Sequence, residues 1–116
     1  MRLKPAWRVG AMEMRDPFGW HQIDGPTLLG IREKLRSFET MTLSAILGPN
    51  HHLVPVESLC KEARERLVEL HLDDIELLSL RLGATERVWG TLERNIVTLL
   101  WWDPLHQVCP SLKKHT

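Results

Sequence analysis

The chain of 116 residues contains no tyrosine, only two cysteines and no formal net charge, with 15 lysines and arginines set against 15 aspartates and glutamates. Cys60 and Cys109 lack the paired CxxC spacing of a zinc site, and two cysteines make no disulfide framework. No stretch reaches the roughly 18 apolar residues of a membrane helix. The start also lacks the charged, then apolar, then small-residue order of a secretion signal. The expectation is a reduced, cytoplasmic protein with no membrane, metal or other cofactor. A dedicated nucleic-acid binder usually advertises a basic excess, which is missing here. The balance is nevertheless uneven: residues 57 to 78 carry seven acids and three bases, whereas 79 to 116 carry five bases, three acids and two histidines.

What is present suffices for one domain. A hydrophobic content of 43% with five tryptophans fills a core, and the length suits one compact unit over 1 to 116 with an extended N-terminal region. Asp24-Gly25-Pro26 reads as a helix start, and Leu28, Ile31, Leu35 and Phe38 recur at helical spacing, so a helix is expected from about 26 to 39. Thr42 suits the N-cap of a short turn of helix over 43 to 47, stopped by Gly48-Pro49. A second main helix is expected over 61 to 71, with Ala63, Leu67 and Leu70 inward and Glu62 and Arg66 paired outside. Short strands suit Ala6 to Val9 and Gly19 to Ile23, while His51-His52 reads as a polar loop and Asp73-Asp74 as a turn.

The last forty residues organise the rest. Apolar, β-prone runs at 77 to 82, 86 to 92 and 96 to 102 are separated by Gly83-Ala84-Thr85 and Glu93-Arg94-Asn95, the spacing of an antiparallel meander in which Gly83 and Asn95 supply positive φ. The third run is apolar at nearly every position, so it belongs inside the sheet with both faces covered. Three-residue turns pair 82 with 86 and 92 with 96. Leu80, Val88 and Leu100 then share one cross-strand row, and Arg81, Arg87 and Trp101 another on the opposite face. Like charges directly opposite are destabilising unless something negative lies between them: either an internal carboxylate or the phosphate of a ligand.

Leu80-Arg81 with Gly83 and then Arg87-Val88 on a hairpin, followed by an apolar strand and a histidine, resembles the RelE/ParE toxin superfamily of bacterial toxin–antitoxin systems, including its YoeB and HigB branches. The resemblance covers about the last 60 residues. The apolar stripes of residues 28 to 38 and 63 to 70 need a sheet as partner, so the expected fold is α+β: a small antiparallel sheet of three to five strands with the two main helices packed on one face. The resemblance implies ribosome-dependent messenger RNA cleavage, as in some members, or gyrase inhibition, as in others, with a cognate antitoxin as partner; the favoured expectation is metal-independent messenger RNA cleavage on translating ribosomes. In such a cleavage the 2′-hydroxyl attacks the adjacent phosphate, which needs a base, an acid and cations around the developing phosphorane. His106 suits the acid or base and Arg87 matches the phosphate-holding arginine of the pattern; Arg81, Trp101, Lys113, Lys114 and His115 are the further substrate-binding candidates. Many ribonucleases of the superfamily place a tyrosine near the C-terminus, and this chain has none. The alternative is a noncatalytic toxin-like module that docks an antitoxin, gyrase or another protein, with Trp89 and Trp101 as anchors.

Overall fold

The structure, a computed structural model, describes residues 2–110. Helix α1 (Gly25–Phe38) begins where Asp24 accepts a 2.7 Å hydrogen bond from the Thr27 N–H, with Pro26 in the first turn, where its missing donor costs no helical bond. Helix α2 (Leu43–Ile46) is capped by Thr42, whose side chain accepts from the Ala45 N–H. Helix α3 (Lys61–Glu69) ends in a reversal: His71 takes φ 59° and the Leu72 N–H returns to the Leu67 carbonyl at 2.8 Å. None of the described helices is long and apolar enough to cross a membrane.

Strands β1 (Ala6–Arg8), β2 (His51–Val54), β3 (Leu77–Arg81), β4 (Arg87–Glu93) and β5 (Ile96–Asp103) form one sheet in the order β1-β5-β4-β3-β2. The α+β class and the C-terminal meander are those expected from the sequence. The sheet is mixed rather than wholly antiparallel, because β1 lies parallel to β5. β5 is bonded on both sides, as its apolar run requires, although β4 holds the middle position.

The helices do not share a face. Ile31 and Phe38 of α1 and Leu43 and Ile46 of α2 pack with Trp20 on Leu78, Leu80, Val88, Leu99 and Trp102. Ala63 and Leu67 of α3 pack with Phe18 and Val108 on Leu77, Trp89, Leu100 and Trp101. The expectation of both helices on one face fails because β5 is apolar on both sides and each side needs a cover. The segment before α1 contributes too. Glu13 donates its N–H to the Leu100 carbonyl and Trp102 donates to Phe18, each at 3.0 Å, so the chain from 13 to 18 closes the edge of β5 beyond β1. Isolated bonds of this kind replace the strand expected over Gly19 to Ile23. The Glu13 carboxylate fastens the segment, accepting from Trp101 Nε1 at 2.8 Å and Arg66 Nη1 at 2.9 Å. Arg66 therefore turns to Glu13 and to Glu69 rather than to the expected Glu62.

The β3–β4 pairing follows the expected register, with Leu80 opposite Val88 and Arg81 opposite Arg87. The β4–β5 pairing does not. Glu93 pairs with Ile96 across the two residues Arg94 and Asn95, and the left-handed φ of 56° falls on Arg94 rather than on Asn95 or Gly83. A bulge between Trp89 and Gly90 then offsets the strands again. Beyond the bulge the two offsets restore the facing but move the partner, while Leu100, the extra residue, turns to the α3 face, away from the Leu80 and Val88 row in which it is expected. Val88 meets Trp102 instead of Leu100, and Arg87 meets Asp103 instead of Trp101. His51-His52 lies on strand β2 rather than in a loop. Leu28, expected in the core stripe of α1, is 50% exposed.

Candidate functional site

At the end of the sheet where β3 leaves and β4 enters, on the face covered by α3, a cleft of about 300 Å³ is lined by His52, Arg81, Arg87 and His106, with Trp89 and Cys109 among the remaining walls. Pleating puts these groups together. Alternate residues of a strand share a face, so Arg81 lies on the same side as Ser79, whose partner across β2–β3 is His52. Arg87 stands directly opposite Arg81.

The two arginines converge on one atom. Arg81 Nε donates to the Gly83 carbonyl at 3.2 Å and Arg87 Nη1 donates to the same oxygen at 3.1 Å. Arg87 Nη1 also reaches the Glu86 and Ala84 carbonyls, at 3.1 and 3.4 Å. The β3–β4 turn thus folds its backbone oxygens around two cations, and among the described residues neither guanidinium forms an ion pair with a carboxylate. Burial, and then the charge of Arg81, pull the Arg87 pKa below its ordinary value, opposed by Asp103. A guanidinium nonetheless stays protonated in proteins.

Asp103 is the third member of the arginine row, but its carboxylate serves the loop after β5. It is 1% exposed and accepts from Gln107 N–H at 2.8 Å, Val108 N–H at 2.9 Å and Trp89 Nε1 at 3.1 Å. Thr85 Oγ1 ties the same loop to the β3–β4 turn through the Pro104 carbonyl at 2.7 Å. His106 sits between these fastenings with φ 60°, a left-handed conformation that persists in a non-glycine residue only where its surroundings impose it. Asp103 is therefore a positioning residue for His106. Burial, then Arg87, lower the His106 pKa, with Asp103 opposing and Arg81 adding to the fall. The neutral imidazole is favoured, the form in which a histidine can act as a base. His51, on the other face of β2, accepts the Arg81 N–H on Nδ1 at 3.1 Å and is held neutral mainly by burial, helped by His52, Arg81 and Arg87. Burial first, and then Cys60, raise the Cys109 thiol, so a cysteine nucleophile does not suit this cleft.

Of the residues singled out in the sequence, Arg81, Arg87 and His106 meet in this cleft. Trp101 does not: it is fully buried against Phe18, their ring centroids 5.2 Å apart, and it binds Glu13, so it belongs to the core. Trp89 is equally buried and serves neither as a stacking platform nor as an exposed anchor. Lys113, Lys114 and His115 lie outside the described residues. His52 and Asp103 were missed as contributors. The signal for His52 was the Leu53-Val54 pair after the Gly48-Pro49 turn, which makes an edge strand and gives adjacent histidines opposite faces.

The arrangement offers two cations and two imidazoles in one cleft, which suits an anionic ligand and proton transfer to or from it. No protein-family model, curated protein or solved structure matches the chain.

Proposed function

We propose that this chain is a toxin-type endoribonuclease that cleaves messenger RNA without metal, and that the cleft between β2, β3, β4 and the loop after β5 is its active site. The carrying observation is the pair Arg81 and Arg87, placed opposite each other with only carbonyl oxygens as partners among the described residues. Asp103 offsets one of the two cations, and a phosphodiester supplies further negative charge. Arg87, the more buried of the two, holds the phosphate and stabilises the charge that grows on it as the 2′-hydroxyl attacks. His106, neutral near pH 7, accepts the hydroxyl proton, and His52, on the opposite wall, is positioned to protonate the leaving 5′-oxygen. The reading places the protein in the cytoplasm, acting on translating ribosomes and held in check by an antitoxin protein.

Induced expression in a bacterial host tests it. The wild type arrests growth and leaves cut messenger RNA, whereas Arg87→Ala and His106→Ala at unchanged protein level do neither, the latter because loss of proton transfer costs roughly 10²- to 10⁴-fold in rate. Full toxicity of both variants, or absence of RNA cuts even on translating ribosomes, would replace the ribonuclease with a noncatalytic protein-binding module.

A further inference from the structure

His106 has a second cavity behind it. Next to the arginine cleft lies a pocket of about 500 Å³, with Pro17, Phe18 and Leu105 as apolar walls, Glu62 and Gln107 as polar groups, and His106 and Pro110 shared with the arginine cleft. Leu105 is 66% exposed, the most exposed of the large apolar side chains among the described residues, and it stands at this pocket. The two cavities differ in charge. One is cationic, while the other carries the Glu62 carboxylate and no arginine.

We propose that this pocket receives the nucleobase flanking the scissile phosphate and selects guanine through Glu62. The inference rests on the ribonuclease reading for its ligand class. A ligand with an anionic end and a flat, largely apolar end fits the pair of cavities in one orientation only, with phosphate at Arg81 and Arg87 and the base between Leu105, Pro17 and Phe18. A carboxylate is an acceptor alone. Guanine N1–H and N2–H are the one pair of adjacent N–H donors on the Watson–Crick edge of a standard base, so a carboxylate accepts both from guanine and from no other base. Unstacked bases of single-stranded RNA are read on that edge. Gln107, whose backbone N–H is fastened to Asp103 at 2.8 Å, brings an amide donor suited to guanine O6. Glu62 lies exposed in the first turn of α3 and contributes nothing to the core, so it can be changed without loss of the fold.

Titration of the purified chain with 3′-GMP, 3′-AMP, 3′-CMP and 3′-UMP, followed by tryptophan fluorescence or calorimetry, tests the pocket without relying on cleavage. The wild type binds 3′-GMP on the order of tenfold tighter than the other three. Glu62→Gln loses that preference while its affinity for 3′-CMP stays the same; Arg87→Ala weakens all four nucleotides together. Equal affinity for the four, a guanine preference that survives Glu62→Gln, or no binding of any of them at millimolar concentration overturns the proposal. Selective 3′-GMP binding through Glu62 in a protein that cuts no RNA sinks the ribonuclease and leaves the base pocket standing. RNA cleavage next to all four bases alike does the reverse.

Discussion

Removing one of the two facing arginines should make the free protein more stable, which is the opposite of what loss of a hydrogen-bonded side chain ordinarily does. Arg81→Gln is the substitution to use, because Arg81 is exposed and a glutamine amide still reaches the turn carbonyl that Arg81 Nε now bonds at 3.2 Å. Like charges opposite each other on paired strands cost about 0.2–1 kcal/mol, and at this solvent-exposed end of the sheet the repulsion belongs within that range rather than at the value of a buried pair. Arg81→Gln should therefore gain up to about 1 kcal/mol in urea denaturation at low salt. Inorganic phosphate should reverse the order. An anion that binds only the folded state at ten times its Kd stabilises by about 1.4 kcal/mol, and the wild type should show that gain while Arg81→Gln loses most of it. The variant also reports any general salting effect of phosphate, which acts on both proteins alike. A double-mutant cycle with Arg87→Gln should give a repulsive coupling between the two positions. A variant less stable than the wild type without phosphate, together with an equal phosphate response in both, would mean that the turn carbonyls already satisfy the pair and that the cleft is not built for an anion.

Leu100 and Leu67 are buried on the α3 face, so each change to alanine should cost on the order of 2–5 kcal/mol in denaturant melts, whereas exposed Leu28→Ala and Lys34→Ala should stay within about 0.5 kcal/mol. A Leu28→Ala loss as large as that of Leu67→Ala would show α1 rotated from the facing described. Opposite the β5 bulge a Cβ on Gly90 would collide with the backbone carbonyl of Thr98, so Gly90→Ala should destabilise by about 1–3 kcal/mol through overpacking; an unchanged melt would argue against this register. The pH dependence has a definite sign. His51 and His106 have folded pKa values lowered below the ordinary value of about 6.5, so the folded state binds fewer protons than the unfolded. The stability they contribute is complete above about pH 6.5 and is lost as pH falls through the folded values. Urea midpoints should decline on acidification from pH 7, less steeply in His106→Gln, and a midpoint that rises on acidification would contradict the assignment.

Much of this architecture was legible before any coordinates. Asp24 and Pro26 mark the start of α1, the gaps at 83 to 85 and 93 to 95 mark the meander, and the unbroken apolar run of β5 demands an interior place. These are local signals, carried by capping, turn chemistry and side-chain period. The run of β5 also implied covers on both faces, which is incompatible with both helices on one; a helical stripe shows that a partner is needed but not on which side of a sheet it lies. Arg81 facing Arg87 followed from the three-residue turn over 83 to 85.

What lies across β4 was decided only in three dimensions. A tighter turn at Arg94 and a bulge opposite Gly90 each shift the pairing by one residue, exchanging Trp101 for Asp103 beside Arg87 and sending Leu100 to the α3 face. Neither offset has a strong local signature, since arginine is not a residue that favours left-handed φ and a glycine within a strand marks a bulge only when its neighbour approaches closely. The meeting of His52 with the arginines depends on strand pairing across 27 positions of chain, from His52 to its partner Ser79. The amino-acid sequence by itself thus determined the helices, the C-terminal meander, the interior strand and the two facing cations; the tertiary structure alone decided that His51 and His52 form a strand, that His52 joins the arginines and which carboxylate holds the loop that carries His106, because register and packing are set by contacts between segments and not within them.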